Sequence, residues 1–78
     1  MNIKPDRKIL LALVTTKMTF GKYKGRLVCD IPTHYLVWMI QNDAMPKGTL
    51  GQLLHTVLEI KTNNLEDILY ELKRWKRN

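Results

Sequence analysis

Between Met18 and Cys29 the chain reads Met-Thr-Phe-Gly-Lys-Tyr-Lys-Gly-Arg-Leu-Val-Cys. Lys22, Lys24 and Arg26 alternate with uncharged positions, Phe20 and Tyr23 lie among them, and Gly21 and Gly25 bracket the segment. Cations spaced in this way can meet successive phosphates, and a tyrosine ring can stack on a base. Backbone amides at a glycine turn can hold a phosphate as well. The segment is not a P-loop, which needs four residues between its glycines and then Lys-Ser/Thr. In the plainer reading Phe20 is core, Tyr23 covers the turn and the lysines are solvated.

A second cationic group, Lys73, Arg74, Lys76 and Arg77, surrounds Trp75. It can extend a polyanion footprint, and it also suits the negative end of a helix dipole. Trp75 either closes the core or anchors an interface. Trp38 follows Tyr35 by one turn in a strongly apolar stretch and reads as a core residue.

Other chemistry finds little support. Cys29, His34 and His55 are the only thiol and imidazole groups. They lack the paired short spacings of a structural zinc site. Cys29 and His34 have no nucleophile elbow and no residue to orient the imidazole. Glu66 and Asp67 suit a helix's first turn, and Asp30 and Asp43 flank helix ends, so the acids read as structural. No catalytic residue, metal or cofactor is expected.

The elements that must carry these residues follow from breakers and periodicity. Residues 5–16 read as a helix, with Pro5 and Asp6 in its first turn and Ile9, Leu10, Leu13 and Val14 on one face. Met18-Thr19-Phe20 and Arg26-Leu27-Val28-Cys29, joined by the glycine-bracketed loop, read as a β-hairpin. A lone hairpin is marginal in water and must pack on helices. Asp30 or Thr33 can cap the next helix, Thr33–Asn42, which is apolar almost all round and so reads as the central one. Met45-Pro46-Lys47-Gly48 breaks the chain. Leu50, Leu53, Leu54, Val57 and Leu58 then mark a helix over about Thr49–Thr62. Asn64 is placed to cap a last helix whose apolar face is Leu65, Ile68, Leu69, Leu72 and Trp75. The expected fold is α+β and mainly helical: a short β-hairpin packed against three or four helices.

Length and charge bound the function. With 78 residues the chain forms one domain, spanning 1–78. A core of that size supplies roughly 3–5 kcal/mol and leaves little room for a deep catalytic cleft. The longest apolar runs, Ile9–Val14 and Tyr35–Ile40, are six residues each. A membrane span needs about 20, and a secretory signal needs a longer apolar run and a cleavage site. One cysteine cannot form an internal disulfide, so a cytoplasmic location is expected. Net charge is +6 and unevenly spread: +6 over residues 1–29, −4 over 30–72 and +4 over 73–78. Basic patches attract polyanions, nucleic acid foremost.

Thr19-Phe20-Gly21-Lys22-Tyr23-Lys24-Gly25, Asp30-Ile31-Pro32 and Tyr35-Leu36-Val37-Trp38 together resemble the small bacterial domain family known as putative quorum-sensing-regulated virulence factor. The similarity continues through Met45-Pro46-Lys47-Gly48-Thr49-Leu50-Gly51 and Glu59-Ile60-Lys61-Thr62-Asn63-Asn64-Leu65, covering about residues 18–65. Thr19 stands where that family usually has proline, and Met45 where it has phenylalanine. The stretch Phe20 to Trp38 is also similar to the C-terminal module of exodeoxyribonuclease X-like proteins, which accompanies a separate nuclease domain. That similarity implies an accessory role in handling DNA or RNA.

The sequence therefore points to a non-enzymatic nucleic-acid-binding accessory module. Lys22, Lys24 and Arg26 would contact phosphates, Tyr23 would stack or hydrogen-bond, and Lys73, Arg74, Lys76 and Arg77 would widen the footprint. Four phosphate contacts imply a log–log salt slope of roughly −3 to −4, with little sequence preference. DNA and RNA remain equal candidates, and no membrane partner is expected. The alternative is a protein-interaction or regulatory module, with a homodimer as one form of it.

Overall fold

The computed structural model describes residues 7–76, the side chain of Lys76 excepted. Pro5 and Asp6, expected to open the first helix, and Arg77, counted among the C-terminal cations, lie outside the described residues. Four α-helices follow in chain order: α1 (Arg7–Leu13), α2 (Thr33–Gln41), α3 (Gly48–Thr62) and α4 (Glu66–Lys76). A single 3₁₀ turn, Val28–Asp30, precedes α2. Among the described residues no helix is long and apolar enough to cross a membrane.

α3 is the centre of the fold. Its Leu53, Leu54, Val57 and Ile60 are buried, and it packs against α1, α2 and the 3₁₀ turn. Leu13 of α1 and Leu36 and Met39 of α2 close around it, with Met18, Val28, Cys29 and Ile31 from the connecting segment, and α4, packed against α1, adds Leu69 and Leu72 to the same core. Fully burying one such leucine or methionine is worth about 1.5–3 kcal/mol. The central role expected of α2 therefore passes to α3. A nine-residue helix has one face to bury, and α2 spends it on Leu36 and Met39. Val37, Trp38 and Ile40 are left facing outward.

Both α2 and α3 end in the same way. After α2, Asp43 takes φ 53°, and the amides of Asp43 and Ala44 bond the carbonyls of Ile40 (3.2 Å) and Met39 (2.7 Å). After α3, Asn64 takes φ 59°, and the amides of Asn64 and Leu65 bond Lys61 (3.2 Å) and Ile60 (3.0 Å). This is the Schellman pattern of paired six-to-one and five-to-two bonds, which asks for a left-handed residue just beyond the helix. Aspartate and asparagine tolerate that conformation better than most side chains. Asn64 thus terminates α3 instead of capping α4. Pro32, extended and without a side-chain cap, holds the N-cap position of α2, so neither Asp30 nor Thr33 caps it.

The expected β-hairpin does not form, and among the described residues there is no strand. The fold is helical, not α+β. Residues 17–27 are a turn-rich loop closed by one isolated antiparallel bridge, Lys17 to Leu27. The bridge is framed by Met18 N–H to Arg26 C=O (2.7 Å) and Val28 N–H to Thr16 C=O (2.9 Å). It does not propagate because Gly25, at φ 88°, intrudes as the extra residue. The Gly25 amide takes the Met18 carbonyl (2.8 Å) that Arg26 would need for a second rung. Two residues then oppose one, as in a glycine bulge. The Arg26 amide turns back to Tyr23 C=O (3.0 Å), and Lys24 to Gly21 C=O (3.2 Å). On the other side, Asp30 N–H to Leu27 C=O (2.9 Å) starts the 3₁₀ turn at once.

Candidate nucleic-acid interface

The loop is fixed to α2 through aromatic rings. Tyr23, half-buried, meets Tyr35 edge-on, with ring centroids 4.8 Å apart and planes at 72°. Tyr35 in turn stacks on Trp38 at 5.5 Å and 22°. Tyr35 and Trp38 lie three residues apart in α2, the spacing at which helical side chains become neighbours. A side chain at Gly21 would meet the Tyr35 hydroxyl, whose oxygen lies 3.0 Å from where its Cβ would sit. Offset or edge-on ring pairs contribute about 0.5–1.5 kcal/mol each beyond the area they bury. The three rings thus brace a segment that has almost no ladder of its own.

The outer end of this ring series is open. Trp38 is 48% exposed and Phe20, on the loop, is 40% exposed. Both depart from the core role read from the sequence. Lys22, Lys24 and Arg26 are exposed, and none of their side chains makes an ion pair or hydrogen bond among the described residues. The Lys22 ammonium lies 5.7 Å from the centre of the Tyr23 ring, within cation–π range. Lys17, at the foot of the loop, is likewise exposed. The structure therefore brings Lys22, Tyr23, Lys24 and Arg26 together in one loop and links Trp38 to it through Tyr35. Tyr23 sits within the ring series as a support, and Trp38 ends it. Only the Tyr35–Trp38 spacing in the sequence hinted at this, because periodicity shows which helical residues are neighbours and not which are covered.

The C-terminal cations are employed differently. Lys73 Nζ donates to Asp30 Oδ1 at 2.5 Å, with both side chains about a third exposed. Arg74 Nη1 donates to Glu71 Oε1 at 3.5 Å on the solvent side of α4. Lys76 belongs to α4. Lys61 of α3 donates to the Ile31 carbonyl at 2.7 Å. Two lysines thus fasten the segment from Asp30 to Ile31 onto α3 and α4.

A cavity of about 190 Å³ lies at this corner, lined by Cys29, Asp30, Lys61, Glu66, Leu69, Tyr70 and Lys73. Cys29 is only 4% exposed, and its Sγ donates to Asp30 Oδ1 at 3.8 Å. Burial pushes the thiol pKa up, the Asp30 carboxylate pushes it further, and Lys73 and Lys61 pull partly back. A neutral, covered thiol is a poor nucleophile. The hydrogen bond that Lys73 donates to Asp30 holds the ammonium charged and raises its pKa against the opposing effect of burial. His34 and His55 are exposed. Among the described residues no three His, Cys, Asp or Glu side chains are placed to share a metal ion.

This helical domain with its braced basic loop belongs to the family described as "Putative quorum-sensing-regulated virulence factor", whose family model matches residues 6–72. That is a wider stretch than the residues 18–65 that carry the motifs. The chain is 42% identical over 69 residues to "Uncharacterized protein YpeB" of Escherichia coli strain K12. It matches the protein of the same name from Escherichia coli O157:H7 equally. Each alignment covers 88% of this chain and 96% of the relative. No solved structure matches the chain. The family description refers to regulation and names no reaction or ligand.

Proposed function

We propose that the domain is a non-enzymatic accessory module that binds nucleic acid through the loop of residues 17–26. The observation that carries this reading is the pairing of three exposed cations, Lys22, Lys24 and Arg26, which make no ion pair among the described residues, with an aromatic series that opens to solvent. Phosphate contacts supply affinity, and the rings hold the loop in place to make them. The resemblance read in the sequence between Phe20–Trp38 and the exodeoxyribonuclease X-like module implies the same role, although the comparisons with known proteins do not return it. Arg74 and Lys76 can add weaker contacts, because Arg74 is exposed and its link to Glu71 is long. Lys73 is committed to Asp30 and contributes less.

The test is fluorescence anisotropy with labelled DNA and RNA at two salt concentrations. It compares the parent chain with a Lys22/Lys24/Arg26→Ala variant. Binding is expected to persist at about 150 mM salt and to fall about 10- to 100-fold in the variant. Each lost phosphate contact removes about 0.7–0.9 from the log–log salt slope, so the slope should drop by about 2 to 3. Loss of all binding by the parent at that salt, or an unchanged slope in the variant, refutes the reading.

A second reading, a protein-interaction module, draws on α4. Tyr70 and Trp75 are 62% and 57% exposed, and Leu65 and Ile68 also face outward. Concentration-dependent thermal stability would mark a homodimer.

A further inference from the structure

We infer that the ligand of this surface is single-stranded nucleic acid, and that Trp38 is the residue that takes an unpaired base on its open face. The inference rests on the nucleic-acid reading above and narrows it to one class of strand.

Tyr23 is half-buried, with its edge or face already against Tyr35 and the Lys22 ammonium within 5.7 Å. Tyr35 is held between Tyr23 and Trp38. Trp38 has Tyr35 stacked on one side, yet 48% of the residue remains exposed. An indole stacked on Tyr35 and still about half exposed can serve as a stacking platform, with the Tyr35 contact restraining the ring. Little side-chain entropy is lost when a base arrives, and preorganisation of this kind raises affinity.

Charge names that occupant. The platform is joined through Tyr35 and Tyr23 to a loop whose Lys22, Lys24 and Arg26 have no acid partner among the described residues, which favours an occupant carrying anionic groups as well as a flat ring. A nucleotide strand has both at a regular repeat. In a duplex the base faces are covered by their neighbours, and only edges are offered in the grooves. In a single strand the faces are free, and stacking on an aromatic side chain tolerates any base. Double-stranded nucleic acid could use the cations but not the ring.

The experiment uses the full chain with Trp75→Phe, which leaves Trp38 as the single indole, since the sequence has two tryptophans. Oligothymidine, oligouridine, a blunt DNA duplex and inorganic polyphosphate are titrated at about 150 mM salt. Trp38 fluorescence and ligand anisotropy are both read. Either pyrimidine strand should quench Trp38 on binding, and their relative affinities tell DNA from RNA. Duplex and polyphosphate should bind more weakly and leave the emission unchanged. Trp38→Ala should weaken single-strand binding about 5- to 30-fold and leave duplex and polyphosphate binding as they were. Trp38→Phe, which keeps a ring, should recover part of the loss and guards against misfolding of the alanine variant. Equal affinity for strand and duplex, without quenching and without effect of Trp38→Ala, overturns the inference while leaving nucleic-acid binding intact. No binding of any nucleic acid by the parent overturns both.

Discussion

Lys22, Lys24 and Arg26 on the loop and Lys61, Lys73 and Arg74 at the α3–α4 end are the same residue types in opposite employment. The first three have no acidic partner among the described residues and stand in solvent. The second three have partners within the chain: Lys61 the Ile31 carbonyl, Lys73 the Asp30 carboxylate and Arg74, on the solvent side of α4, the Glu71 carboxylate. The surroundings differ in parallel: ring contacts brace the loop, whereas the corner is lined by charged side chains with Cys29, Leu69 and Tyr70. A count of positive charges treats the two ends as equals. Their partners show that one end holds the fold together and the other is left available to a ligand.

The largest effect tests what both regions share. A methyl group at Gly51 in α3 would fall on the backbone carbonyl of Pro46, which cannot swing aside as a side chain could. Gly51→Ala should therefore cost about 3 kcal/mol, most of the stability of so small a domain, and disable loop and corner together. Urea denaturation gives the answer, and a midpoint equal to the parent's would show that the connection before α3 yields more readily than this packing implies.

The next variant separates the regions. Asp30→Ala strips Lys73 and Cys29 of their shared acceptor. Because the pair is about a third exposed, the cost should be about 1 kcal/mol, lowering Tm by about 4–8 °C. Affinity for nucleic acid should not fall. Replacing Lys22, Lys24 and Arg26 with alanine should do the reverse, holding Tm within about 2 °C while binding drops. If Asp30→Ala weakened binding as much as the loop variant, the division of labour would be wrong.

Alkaline pH should reach the corner and spare the loop's packing. The Lys73 pKa is raised, so the stability it adds is complete below the unfolded lysine value of about 10.4 and is lost as pH climbs through the higher folded value. The Cys29 pKa is raised as well. Its contribution is complete below the unfolded thiol value of about 8.5 and declines as the unfolded chain begins to ionise. Tm should start to fall above about pH 8.5, with the first part of the decline absent in Cys29→Ala. A Cys29→Ala profile that kept this early decline would remove the thiol from the account.

The smallest effect concerns Arg74. Its bond to Glu71 is 3.5 Å long, with both side chains mostly exposed. Arg74→Ala should change stability by less than about 0.5 kcal/mol. It should weaken nucleic-acid binding less than any single loop substitution does, as anisotropy titrations would show. A larger loss would move the interface toward α4.

Much of the helical framework was legible in the sequence. Leu50, Leu53, Leu54, Val57 and Leu58 recur at helical spacing, and α3 runs Gly48–Thr62 as that spacing demands. Thr33–Asn42 became Thr33–Gln41. Reading a hairpin at Met18–Cys29 failed for a physical reason. Glycines signal a reversal, but whether the flanks pair depends on which amide takes the Met18 carbonyl, and Gly25 took it before Arg26 could. Asn64 failed in a similar way. It suits either side of a helix boundary, and the bonds of its own amide and of the Leu65 amide back to α3 settled which.

The sequence by itself determined the residue classes and their local order: a basic-aromatic segment between glycines, a leucine-rich helix, an acidic middle and a basic end. These are properties of short windows, and local sterics and periodicity decide them. Only the tertiary structure decided which cations are spent and which aromatic residue is open. Lys73 meets an aspartate 43 residues away, and Lys61 meets a carbonyl 30 residues away. Trp38 is exposed because Leu36 and Met39 claim the single face that α2 can turn to α3. Burial and pairing are relations between distant residues, and no window of the chain contains both partners.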